Sequence, residues 1–342
     1  MFQSLDKKRI ILWITVAVLL FFLFAYRLPY YIYKPGSAEP LSPVVEVENS
    51  TDSEGEMHLV TIQGGQAVPI QYLLALFQDY NDILPIDEVY PDGMSQDDYM
   101  EIQLSMMENS QEASTVVAYT AANKDIDITY EGIYVVRTIE GMPAHEVLKT
   151  GDKIVSVDEL EVKETEELIS YVEEKEVGEP IEVTIVRDEE TITETIALGT
   201  FPDMEDRVGI GVQLVTNRDV DVDPPIAFSS GNIGGPSAGL MFSLEIYDQL
   251  VEEDITKGYC IVGTGEVDYD GNVGRIGGID KKVIAADNEG CDIFFAPNEG
   301  DAPDSNFKLA EETAKAIKTD MKIIPVDTFE DAINYLESLD EK

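Results

Sequence analysis

"GNIGGPSAGL", residues 231–240, and "GNVGRIGGIDKK", residues 271–282, are the stretches from which this chain is read. The first contains Gly235-Pro236-Ser237-Ala238-Gly239, a G-x-S-x-G pattern that carries a nucleophilic serine in many hydrolases. It opens an apolar segment that reads as a helix from Pro236 to about Glu252. Gly235 can cap that helix, Pro236 suits its first position, and the free N–H groups of the turn are candidate oxyanion stabilisers. A serine hydroxyl also needs a base. No histidine follows His145, which excludes the Ser–acid–His order of α/β-hydrolases; His145 falls in a helical piece and His58 is a lone strand residue. Lysine serves if its amine is neutral, which requires burial or a positive dipole to lower a pKa of roughly 10.4. Lys281 and Lys282 follow Asp280, an N-cap residue type, so both fall in the first turn of a helix, where the dipole favours the uncharged amine.

Around these stretches the chain alternates strand and helix from Gly209 onward: "GIGVQLV", "PIAFSS", the Ser237 helix, "YCIVGTG", the Lys282 helix, "CDIFFAP", a helix near 306–319, "MKIIPV" and a helix from Phe329. That is an α/β domain. Residues 126–198 differ. Short β-rich runs, "GIYVVRTI", "DKIVSVD", "IEVTIVRD" and "TITETIAL", enclose helical pieces "PAHEVLK" and "TEELISYVEEK", the second capped by Thr165, which reads as a small β-sandwich-like module. Further upstream, "MHLVTIQGG" reads as a strand, "PIQYLLALFQDYNDI" as helical, and residues 110–124 as a helix with Ser110 as N-cap. Residues 34–56, rich in Pro, Ser, Gly and acid, read as a tether.

Near the N-terminus, Lys7, Lys8 and Arg9 precede an uncharged apolar run from Ile10 to Tyr26. As a helix this run rises roughly 25 Å, just enough to span a bilayer. No small-x-small cleavage site follows Phe24; Tyr26, Tyr30 and Tyr31 resemble an interfacial aromatic belt instead. The reading is a single-pass cell-membrane anchor with a cytoplasmic N-terminus and everything beyond it extracytoplasmic.

The 342 residues hold 68 Asp and Glu against 23 Lys and Arg, a formal charge of −45 that repels nucleic acid and reads as a solvated acidic surface. Cys260 and Cys291 lie in apolar runs and read as buried, unpaired thiols. Without C-x-x-C spacing and with only two histidines, no metal site is expected, and no cofactor is called for.

In order, "GGPSAGL", "TGEVDYDGNVGRIGGIDKK" and "VIAADNEGCDIFFAP" resemble the proteolytic domain of Lon-type serine peptidases. The resemblance implies Ser237 as nucleophile and Lys282 as general base, with Thr264 orienting the lysine, Gly235 and Pro236 supporting the turn, and Lys281 pointing elsewhere. Two departures stand out. The acid common before G-P-S is Gly234 here, and no G-x-x-x-x-G-K-[ST] loop occurs, so the resemblance implies an ATP-independent endopeptidase acting on unfolded or extended polypeptides. "YEGIYVVRTIEGMPAHEVLKTGDKIVSVDELEV" resembles a bacterial PDZ domain, which implies a peptide-binding groove formed by Tyr130, Glu131, Gly132 and Ile133, the strand Ile133–Arg137, and a wall near Leu168. Glu131 departs from the apolar residue usual there and disfavours a C-terminal carboxylate, which suggests an internal segment or a partner domain as ligand.

The whole is similar to the membrane-anchored, PDZ-containing Lon-like proteases of Gram-positive bacteria. The expected organisation is a cytoplasmic tail (1–9), a transmembrane anchor (10–26), a linker (27–54), an N-terminal segment (55–125), a PDZ domain (126–200) and a Lon-type proteolytic domain (201–342). The 55–125 segment either opens the catalytic fold, with the PDZ module inserted into it, or folds by itself. The family's rings imply a homo-oligomer, a hexamer by analogy. The rival reading is a non-proteolytic PDZ scaffold or chaperone at the cell surface.

Overall fold

A computed structural model describes residues 7–50, 53–90, 95–201 and 204–342; residues 1–6 of the expected cytoplasmic tail lie outside the described residues. The chain forms two compact units, one from Met1–Asp125 with Val222–Lys342 and the other from Ile126–Asp221. The second unit is therefore an insertion, and the 55–125 segment belongs to the same body as Ser237 and Lys282.

The first unit is built on a six-stranded sheet in the order Lys322–Val326, Ile293–Pro297, Cys260–Gly263, Glu56–Gln66, Tyr30–Pro40, Asp82–Pro85. The first four strands are mutually parallel, and Tyr30–Pro40 runs antiparallel to both of its neighbours, Glu56–Gln66 and Asp82–Pro85. Ile293–Pro297 is buried at every position, as a strand covered on both faces must be. Helices Ile279–Glu289 and Asn306–Ile317 share a core with one face, through Val283, Ala310 and Phe294. Helix Gly239–Leu250 and the C-terminal helix Phe329–Glu337 lie on the other, where Phe295 meets Tyr335 edge-on and Met241 packs against Gly263.

Several expectations need correction. The 27–54 linker contains a sheet strand: Tyr30–Pro40 pairs with Glu56–Gln66 and Asp82–Pro85, and Val45–Val47 pairs with Ile226–Phe228. Pro35 and Gly36 mark the register shift between Pro35 and Ala38; these residues bend a strand here rather than loosen a tether. The helix expected at 110–124 runs from Gln96 to Ala121, with Ser95 as its cap, accepting from the Asp98 N–H while the Asp98 carboxylate takes the Ser95 N–H. Its first half mixes Tyr99, Met100, Ile102, Leu104 and Met106 with polar residues and buries only Met107, so no apolar face marks it in the sequence. Cys260 and Cys291 form a disulfide, not free thiols; Ile261 lies opposite Ile293 in the parallel register, which brings the two Cα atoms to 4.7 Å at neighbouring strand ends. His58, 3% exposed, lies with its ring within 4.8 Å of both sulfurs, the one cluster of metal-type ligands found among the described residues, but a disulfide offers no thiolate to a metal.

The second unit extends to Asp221, beyond the expected boundary at 200. Its sheet runs in the order Val212–Asp223, Asp125–Thr138, Lys153–Val157, Pro180–Arg187, Glu190–Ala197. Alternating burial along Pro180–Arg187 turns Ile181, Val183 and Ile185 inward onto Leu168 and Val172 of helix Thr165–Glu173. Glu164, not Thr165, occupies that helix's N-cap position.

Candidate active site

Ser237 sits in a single 3-10 turn, Pro236–Ala238, that runs directly into helix Gly239–Leu250. Gly235 precedes it at φ +88°, a conformation that disfavours side chains. Its N–H donates to the Gln103 carbonyl at 2.7 Å, and Pro236 has no N–H, so Ser237 and Ala238 remain as amide donors of the turn. The turn's carbonyls are held as well. Ser110 Oγ donates to Pro236 O at 3.0 Å, Ser114 Oγ to Gly239 O at 2.9 Å, and the Gly265 N–H to Ser237 O at 2.9 Å.

Lys282 reaches this turn from helix Ile279–Glu289, whose cap is Gly278 in the left-handed conformation rather than Asp280, which lies within the first turn. The Lys282 Nζ lies 2.6 Å from Ser237 Oγ and 2.8 Å from Thr264 Oγ1. Thr264 Oγ1 in turn donates to Ser237 O at 2.8 Å, which fixes the hydroxyl so that its lone pairs face the amine. Lys282 is 3% exposed, and burial alone pushes its pKa down to about 7. At neutral pH a substantial fraction of the amine is therefore uncharged and can accept the Ser237 proton.

Lys281 does not point away from the site. It lines the same cleft, only 2% exposed, with its ammonium 2.6 Å from Asp82 and 3.2 Å from Asp280. The two lysines thus differ in their partners: the carboxylates of Asp82 and Asp280 pair with Lys281, whereas hydroxyls surround the Lys282 amine. The cleft, about 710 Å³, runs along Leu59–Gly64 and past Tyr31, Tyr33, Tyr99, Met100 and Gln103. Gly234 lines it too. A Cβ there would lie 2.8 Å from Gln103 Cβ and 3.1 Å from its carbonyl carbon, so the absence of an acid at this position reflects the close approach of helix Gln96–Ala121. Ser114 and Gln103 escaped the sequence reading, and Ser110 was read only as an N-cap; for the two serines the small-residue run "SQEAST", residues 110–115, was the only signal, and it indicates close packing without naming its target.

The family model of the Lon protease (S16) C-terminal proteolytic domain matches residues 186–337, and that of the PDZ domain matches residues 99–198. The chain carries a Lon-type proteolytic domain and a PDZ domain. Neither linear match marks the insertion: the PDZ match begins within helix Gln96–Ala121, and the Lon match begins in the last strands of the PDZ unit. Among curated relatives, the Lon protease of Aster yellows witches'-broom phytoplasma is 30% identical over 38% of this chain and 15% of its own length. That of Ureaplasma parvum is 30% identical over 42% of this chain and 17% of its own length. The chain thus spans about a sixth of the length of these two relatives. Of solved structures, the PDZ domain of the SdrC-like protein from Listeria monocytogenes is 30% identical with a TM-score of 0.24, covering 26% of this chain and 93% of that one. Its Listeria innocua counterpart is 27% identical with a TM-score of 0.23, covering 25% and 93%.

Within the PDZ domain the expected groove is not assembled. Strand Asp125–Thr138 is flanked on one edge by Val212–Asp223 and on the other by Lys153–Val157, so Ile133–Arg137 has no free edge for a peptide. Tyr130, Glu131 and Gly132 line a separate hollow with Lys153 and Lys163, and Glu131 accepts from Asn217 Nδ2 at 2.6 Å. Leu168 instead faces Val208-Gly209-Ile210-Gly211-Val212 and Leu214 across a groove of about 180 Å³, with Arg207 and Phe201 also lining it. The loop and edge strand that line this groove lie at the C-terminal end of the module, beyond the boundary expected from sequence. "RVGIGV", residues 207–212, was the signal, read as the start of the following domain.

Proposed function

We propose that this chain is a membrane-anchored serine endopeptidase that cleaves polypeptides through a Ser237 acyl-enzyme, with Lys282 as general base and no ATP hydrolysis of its own. The observation that carries the reading is the 2.6 Å approach of a buried Lys282 amine to Ser237 Oγ at the bottom of an open cleft. The neutral amine takes the hydroxyl proton as Oγ attacks the scissile carbonyl, and the Ser237 and Ala238 amides receive the developing oxyanion. The Lys282 ammonium then returns that proton to the leaving amine. Water, deprotonated by the same lysine, cleaves the ester and regenerates Ser237. Thr264 acts as a positioning residue, because it binds both the amine and the Ser237 carbonyl.

An extracytoplasmic catalytic domain is supported by Lys7, Lys8 and Arg9 on the N-terminal side of the one helix apolar enough to cross a membrane among the described residues. The Cys260–Cys291 disulfide, a bond that persists in oxidising compartments, supports the same placement. For the PDZ domain, we assign peptide capture to the groove between strand Val212–Asp223 and helix Thr165–Glu173. An extended segment can add there to an edge strand and seat an apolar side chain against Leu168 and Ile210. Arg207 at the groove suits a terminal carboxylate, so the objection raised by Glu131 lapses.

The test is degradation of unfolded casein by the full chain in detergent. Cleavage by the wild type and none by Ser237→Ala or Lys282→Ala is expected; an inert wild type, or undiminished cleavage by Ser237→Ala, would leave a non-proteolytic PDZ scaffold as the better account.

A further inference from the structure

An exposed apolar patch outside the helix Lys7–Ala25 has no role in the chemistry above. In and just after the short helix Pro69–Ala75, Leu73, Leu74 and Leu76 are 50%, 54% and 56% exposed, and Phe77 is 87% exposed. The chain is 27% charged, yet no Asp, Glu, Lys or Arg occurs from Met57 to Gln78. Four large apolar side chains within five residues, open to water, are unfavourable unless something covers them.

Their position indicates what does. The Leu28 N–H donates to Ala67 O at 2.8 Å, the Ala67 N–H to Tyr30 O at 2.8 Å, and Gln66 Nε2 to Leu28 O at 3.0 Å. Ala67 and Ala75 share a small core with Ile32, Leu28, Tyr30 and Tyr72. The short helix therefore packs beside the C-terminal end of helix Lys7–Ala25, with only Tyr26 and Arg27 between that helix and the joined segment. Tyr26 is exposed, and Tyr30 and Tyr72 pack ring against ring at 5.0 Å, the residue type enriched at headgroup level.

We propose that Leu73, Leu74, Leu76 and Phe77 form a second membrane contact that seats the proteolytic unit on the headgroup and upper acyl region of the bilayer crossed by the anchor. This rests on the reading of Lys7–Ala25 as a membrane span. An uncharged apolar patch joined to the end of a span lies at the depth where an interfacial segment buries its apolar face. It is also the part of a chain of charge −45 that an anionic lipid surface does not repel. The cleft follows from the same strand: along Tyr30–Pro40, Tyr30 and Ile32 face the short helix while Tyr31 and Tyr33 line the cleft. The cleft then opens beside the bilayer, which selects polypeptide segments held close to the membrane surface.

The test uses the full chain in phosphatidylcholine vesicles. Trp13 is the only tryptophan, so a Trp13→Phe, Phe77→Trp double variant reports from the patch alone. Blue-shifted emission, quenched several-fold by lipids brominated in the upper acyl chain and insensitive to aqueous iodide, is expected. Leu309→Trp in the same background, on helix Asn306–Ile317, should remain open to iodide. Water-like, iodide-quenched emission from F77W overturns the proposal. So does blue-shifted emission indifferent to brominated lipid, which would mean that a second copy or another protein covers the patch. Carbonate extraction separates the two readings: a chain washed from the vesicles sinks the span and the patch together, whereas a chain that stays embedded with unquenched F77W sinks the patch alone.

Discussion

Lys281 and Lys282 are adjacent, both buried and both on the cleft wall, yet only the second lacks a carboxylate partner. That difference sets their chemistry. Lys282→Ala should abolish cleavage, while Lys281→Ala should leave measurable turnover, because the 2.6 Å contact to Ser237 does not pass through it; peptide hydrolysis by the two purified variants checks this. The pH dependence follows from burial. With the Lys282 pKa lowered to about 7, kcat/KM should rise with pH, reach half its plateau near 7, and stay high into the mildly alkaline range. A rate that falls between neutral and pH 9 in a folded enzyme would contradict the lysine base. Linkage has the matching sign. The unfolded lysine titrates near 10.5, so between about 7 and 10.5 the unfolded state binds more protons and stability rises with pH; below 7 the full cost of the buried ammonium remains. A Lys282→Met variant, inactive, should therefore melt higher than wild type near pH 6, with the gain shrinking towards pH 10 in a calorimetric series.

Helices set the limits on what the site tolerates. Helix Gln96–Ala121 abuts the nucleophile turn so closely that Gly234 has no room for a side chain. Gly234→Asp, which would restore the acid expected before G-P-S, should push against Gln103, lower the melting temperature and cut turnover at least tenfold, a loss of roughly 1.4 kcal/mol or more in the barrier. An active and equally stable Gly234→Asp would show that the helix can move aside. On helix Gly239–Leu250, burial pushes the Glu245 carboxyl up to about 7 despite the hydrogen bond from Gln249 Nε2. A raised carboxylate pKa stabilises the fold at pH below about 4.5, and that stability is lost as pH rises through 7. The loss is on the order of 3 kcal/mol at pH 8. Glu245→Gln should thus raise the melting temperature at pH 8 and change it little at pH 4.

At the scale of the whole molecule, the PDZ groove proposed above makes its own prediction. A peptide with an apolar C-terminal residue should perturb the amide resonances of Val208–Leu214 and the Leu168 methyls, and leave Tyr130–Ile133 unmoved; the opposite pattern would restore the groove expected from sequence. Much of the molecule was legible in the chain itself. The dyad candidates were readable because "GGPSAGL" and "GGIDKK" carry their chemistry in local residue order, and the N-terminal apolar helix because its apolar run is unbroken and long enough for a bilayer. The β-rich character of 126–198 was likewise written in its short alternating runs. What could not be read depends on contacts between residues distant in sequence. The strand Tyr30–Pro40 looks like a tether until Glu56–Gln66 pairs with it, and Cys260 looks unpaired until the parallel register brings Cys291 beside it. The groove expected from sequence lies on a strand that is paired along both edges, because which strand lies at a sheet edge is a property of sheet order, not of any one strand's sequence. By itself, then, the sequence determined which residues could act: a serine, two lysines, a threonine and an apolar span. Only the tertiary structure decided which lysine meets the serine: packing places the Ser237 and Thr264 hydroxyls and no carboxylate around the buried Lys282 amine, whose pKa burial lowers to about 7, and sets Asp82 and Asp280 against the equally buried Lys281.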